Sequence, residues 1–167
     1  MKNKISVAVL LLILGPIVPV ILVVKSIQFD QRCGGYLKQA ADANTPELAI
    51  QRLDVAIDYI EAHGLTNGYT SILWRTEDEN VGFWYENIVA CRDELQSCIE
   101  STQLEKTNVL MKVRESLTDN KEGNVSLTVP DGISKFPHNL SWAIWLTISI
   151  IMLIVDFFMW GYIYSEG

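Results

Sequence analysis

Basic charge, histidine and reactive-site motifs are all scarce in this chain of 167 residues, which carries 13 Lys or Arg against 20 Asp or Glu and only two histidines. A formal charge of -7 with no basic stripe repels a phosphate backbone, so nucleic-acid binding is disfavoured. No HExxH, CxxC, GxxxxGK or GxSxG pattern occurs. Zinc hydrolysis, thiol redox, phosphate cradling and acyl transfer therefore lack their usual ligands or nucleophiles. No catalytic, cofactor-binding or metal-binding residue is assigned, and the chain reads as a non-enzyme. Three cysteines, Cys33, Cys91 and Cys98, cannot all pair. Cys91 and Cys98 would lie ~10.5 Å apart along one helix, beyond the ~7 Å limit for a bridge. All three are expected to be buried, reduced and hydrophobic in role.

Apolar residues make up 49% of the chain, and they are unevenly placed. Ile5 to Val24 holds no ionisable side chain, and Leu140 to Tyr164 holds only Asp156. Each stretch is long enough to cross ~30 Å of hydrocarbon at 1.5 Å per residue. The first run follows Lys2 and Lys4 but exceeds the ~7 to 15 residues of a cleaved signal and lacks a small-residue cleavage site, so it reads as a retained signal-anchor. The second is flanked by Trp142 and Trp145 at one end and by Trp160, Tyr162 and Tyr164 at the other, where amphipathic rings favour headgroups.

The expected organisation is an N-terminal anchor over residues 1–25, an acidic domain over 26–139, a second transmembrane helix over 140–164 and a tail over 165–167. Its fold class is an all-α membrane protein, two transmembrane helices flanking an antiparallel helical-bundle domain, with a short strand or hairpin before the second span. Lys2 and Lys4 place the termini in the cytoplasm, and a long loop translocates largely regardless of its flanking charge, so the domain is expected outside. Pro16 and Pro19 should kink the first span and leave carbonyls for a neighbouring helix to satisfy. Asp156 is costly in hydrocarbon if charged, and is expected either to pair locally, with Lys2 or Lys4 snorkelling toward it, or to stay protonated, or else to meet a partner subunit.

Within the domain, Thr45-Pro46 signals a helix start and Gly64 an end, with Ala49, Leu53, Ala56, Ile57 and Ile60 as the buried face. Asp54, Asp58 and Glu61 form a solvated face of the same helix. The apolar segment Leu65 to Arg75 is expected to pack across the bundle. Thr76 to Glu79 reads as a capping box opening a third helix, whose seam is Val81, Trp84, Ile88, Cys91, Leu95 and Cys98. Thr102 with Glu105 makes a second box and predicts a break there, giving four helices in all.

Successive helical residues point about 100° apart, so Phe83, Trp84 and Tyr85 cannot all face one core. Tyr69, Trp74 and Trp84 are the expected aromatic cluster under the loop, while Phe83, Tyr85 and Asp156 are candidate partner contacts. A helical bundle held between two spans resembles the sensor domains of bacterial chemoreceptors in architecture alone, without a shared motif. The expected function is that of a non-catalytic membrane adaptor or assembly subunit. Its partners would be the lipid bilayer and a protein, either a second copy or another chain. The alternative is a ligand-sensing subunit that binds a small molecule in the bundle.

Overall fold

The computed structural model describes the backbone of residues 2–121 and 124–166 and the side chains of residues 5–119 and 125–165. The chain is mostly helical and divides into two compact units, one formed by Met1–Ser26 with His138–Gly167 and the other by Ile27–Pro137.

In the first unit, α1 (Lys2–Leu14) and the start of α2 (Ile17–Phe29) accompany α7 (Asn139–Glu166). Two helical runs, Ile5–Ala41 and Asn139–Ser165, are long and apolar enough to cross a membrane. Their apolar side chains point outward on all sides; Ile13, Val20, Phe157 and Phe158 are all exposed. The pattern departs from an amphipathic stripe and leaves much of the apolar surface uncovered by protein.

The interruption between Leu14 and Ile17 has a local cause. Pro16 and Pro19 lack N–H groups, so the carbonyls one turn earlier, on Leu12 and Gly15, lose their helical donors. The Gly15 carbonyl accepts instead from the buried Ser149 hydroxyl of α7. Close approach depends on the missing side chain at residue 15, where a Cβ would lie 2.5 Å from Leu153 Cδ2. The neighbouring helix thus supplies the donor that the proline removed. Further along the same pair, Lys25 Nζ sits 5.4 Å from the centre of the Trp142 ring.

The second unit is a bundle of α3 (Gly35–Ala41), α4 (Pro46–Ala62), α5 (Val81–Ser97) and α6 (Gln103–Leu117), in which α3 and α5 each pack against both α4 and α6. A π-helical turn, Asp30–Gly34, precedes α3. The side chain of Thr45 caps α4 by accepting from Leu48 N at 3.3 Å, and Pro46 occupies the first turn, where its missing donor costs nothing. Gly64, at φ +67°, ends the helix. All five residues of the expected α4 face are buried. The bundle interior is filled by Leu37, Leu53, Ile60, Ile88, Leu95 and Val113.

The chain breaks between α5 and α6 as Thr102 and Glu105 predict. Glu105 N donates to Thr102 Oγ1 at 3.4 Å and Thr102 N donates to Glu105 Oε2 at 2.9 Å. That backbone bond holds the Glu105 carboxyl below its ordinary range. A hairpin follows, with β1 (Thr118–Lys121) antiparallel to β2 (Asn124–Leu127) and Thr118 opposite Leu127.

Two local expectations are corrected. Thr76 does not cap α5, because the chain first forms a separate 3-10 turn, Glu77–Glu79; the Thr76 hydroxyl donates to the Glu79 carboxylate. Asn80 caps instead, its Oδ1 accepting from Phe83 N at 3.1 Å. The segment 65–75 does not pack across the bundle as a whole. Leu65 and Thr70 are buried, but Ile72, Leu73 and Trp74 are exposed.

Candidate functional site

The three adjacent aromatics of α5 take three different directions. Trp84 turns inward with Val81 and Ile88, and its Nε1 donates to the Thr128 carbonyl at 3.0 Å, fixing the segment that follows the hairpin against α5. Tyr85 points along the bundle surface, where its hydroxyl donates to Glu61 Oε1 of α4 at 2.6 Å. That bond, more than burial, raises the Tyr85 hydroxyl above its ordinary pKa. Phe83 remains 68% exposed.

Phe83 and Trp84 form one wall of a cleft of about 480 Å³, and the segment Ser126–Asp131 forms another. Glu77, Asp78, Asp119 and Asp131 also line it, and no Lys or Arg does among its described lining residues. The Asn80 cap holds the rim in place. Its Nδ2 donates to Tyr69 Oη at 3.3 Å, while Thr70 N and Val81 N bond to Glu79 O and Gly68 O. Gly68 is required there on two counts, with φ at +102° and a Cβ that would lie 2.9 Å from Phe136 Cζ. Chemically, the cleft combines an exposed aromatic face with carboxylates of one sign, which suits a cation that also offers apolar surface.

The expected cluster of Tyr69, Trp74 and Trp84 is not brought together by ring contacts. Tyr69 is half-buried and lies beneath Arg75, whose guanidinium carbon is 5.3 Å from the ring centre. Trp74 is 79% exposed on the loop. The aromatic contacts among described residues of this unit join Phe29 to Tyr59 and Tyr59 to His63 instead. Asp156 is buried on α7, and its Oδ1 has no hydrogen-bond partner among the described residues. The pairing expected with Lys2 or Lys4 lies outside the described side chains.

Cys33, Cys91 and Cys98 are unbridged and buried. Burial pushes the Cys33 thiol up to about 12 and raises those of Cys91 and Cys98 as well. Thiolate is the reacting form, so the folded protein should take up iodoacetamide far more slowly than the unfolded chain. Intact mass after alkylation in denaturant without reductant should then show all three thiols modified; a single modified thiol would mean that two had paired. The sign of the pH effect follows from the raised values. Burial of these thiols stabilises fully below the ordinary value of 9.0, and that contribution is lost as the pH rises toward 12 for Cys33.

Among the described residues, no three His, Cys, Asp or Glu side chains gather as metal ligands would. The cleft is not legible in the sequence because its described walls come from residues 77–87, Asp119 and Ser126–Asp131, held together by the Trp84–Thr128 bond. Comparison with protein families, with curated protein sequences and with solved structures finds no significant match to this chain.

Proposed function

We propose that the chain is a two-pass integral membrane protein whose helical unit acts as a non-catalytic adaptor. The spans are Ile5–Val24 and Leu140–Tyr164, and the termini face the cytoplasm with the bundle outside, in keeping with Lys2 and Lys4 beside the first span. The partner is a protein that presents a basic and apolar segment to the cleft.

The observation that carries this reading is Phe83. A phenylalanine two-thirds exposed beside a core-facing tryptophan has a direction that the bundle does not use, and it borders a cleft of carboxylates. Aromatic anchors of this kind dominate the energetics of protein interfaces. A second reading has one observation in its favour. A cleft of about 480 Å³ falls in the ~300 to 1,000 Å³ range of small-molecule sites, so a cationic small molecule is the alternative occupant.

Phe83→Ala separates protein contact from folding. The variant should keep the melting temperature of the parent yet lose a partner that copurifies stoichiometrically with the parent from native membranes. Retention of that partner, or a parent protein isolated as a lone monomer at native expression, would remove the adaptor reading. Saturable binding of an organic cation to the lone monomer would favour the alternative.

A further inference from the structure

The loop between α4 and α5 presents Ile72, Leu73 and Trp74 in succession, with Leu73 77% and Trp74 79% exposed. Its place in the bundle is fixed by contacts inside the second unit. The chain enters this unit at Ile27 and leaves it at Pro137. Phe29, near the entry, meets Tyr59 in the last turns of α4 with ring centres 6.2 Å apart. Phe136, at the exit, backs onto Gly68 at the base of the loop. The apolar tip therefore lies at the bundle end where both chain ends lie, and from each of these the chain continues into an apolar helix.

We propose that Ile72-Leu73-Trp74 is a third membrane contact, a loop anchor that inserts into the interfacial region of the bilayer. The inference rests on the two-span reading. Trp prefers the headgroup level because its ring is amphipathic, and Leu and Ile gain by leaving water for the acyl boundary. The loop is held closed at its base by the bridge between Tyr69 and Asn80 and by the bond from Thr70 N to Glu79 O, so little order remains to be imposed on insertion. Arg75 follows the tip, but Glu77, Asp78 and Glu79 come next and leave the segment acidic, so a zwitterionic surface fits better than an anionic one. Insertion is expected to reach the shallow depth of interfacial segments, ~5 to 10 Å.

The test uses the full chain in phosphatidylcholine vesicles, with a nitrobenzoxadiazole label on one introduced cysteine at a time: L73C, I151C or E100C. The native thiols are buried, and the unsubstituted protein provides the blank for labelling. Position 151 reports the middle of the second span. Position 100 reports the opposite end of the bundle, since it follows the C-terminus of α5, whose N-terminus leaves the loop. With doxyl-labelled lipid, the L73C label should lose several-fold more emission than the E100C label, and more to a shallow quencher than to a deep one. I151C should show the reverse depth order. An unquenched L73C beside a quenched I151C overturns the anchor while leaving the spans intact. A blue-shifted but unquenched L73C means that protein covers the loop, which also overturns it. Loss of quenching at both positions removes the two-span reading and the anchor together.

Discussion

Trp84→Ala should destabilise the helical unit by ~3 to 5 kcal/mol, the cost of truncating a buried tryptophan. The side chain is 6% exposed within the core of the bundle, so its removal leaves a cavity that Val81 and Ile88, one turn away on α5, can fill only in part. It also deprives the Thr128 carbonyl of a donor at 3.0 Å. That bond ties the irregular segment after β2 to α5, so the loss should spread to the hairpin and to the cleft wall beside it. Phe83→Ala, one residue earlier, should fall within the ~0.5 kcal/mol typical of surface substitutions, because the Phe83 ring faces solvent. Urea unfolding of the detergent-solubilised protein, followed by far-ultraviolet circular dichroism, compares the two. Equal losses of stability would mean that the two rings share the core, contrary to the geometry described.

That contrast also shows how far the sequence could be read. The helical angle alone keeps three successive aromatics from sharing one face, and the structure sends Phe83, Trp84 and Tyr85 in three directions. Signals confined to one turn of chain were equally legible. Thr45 with Pro46, Gly64, and Thr102 with Glu105 each act on backbone groups three or four residues away, and each marks a helix boundary in the structure. The box at Thr76 failed because the chain turns before the helix begins: Glu77–Glu79 close a 3-10 turn with Asn80 N bonded to Glu77 O, and Asn80, in extended conformation, becomes the cap.

Features built from distant segments were not legible. The donor for Gly15 comes from Ser149, and neither residue's neighbours announce the other. The π-helical turn at Asp30–Gly34 precedes a short α3, and the Gly34-Gly35 pair marks a weak point of the helix there without specifying a widened turn. The loop at 72–74 departs from expectation for a different reason. Apolar composition predicts burial inside the bundle, whereas Leu73 and Trp74 stand out from it. In a protein that meets lipid, apolar character alone does not say which solvent a residue prefers.

The two spans are the premise on which the proposed function and the loop anchor both stand, and they can be tested by accessibility. Glu100 and Ser165 are both exposed, one in the turn between α5 and α6 and the other near the end of α7. A helix that crosses the bilayer between them puts the two positions on opposite faces. The measurement is labelling of Glu100→Cys and Ser165→Cys by a membrane-impermeant maleimide in sealed right-side-out vesicles, before and after detergent. The account predicts that Glu100→Cys reacts at once and Ser165→Cys only after detergent. If both react before detergent, α7 does not cross the membrane and the two-span account is wrong.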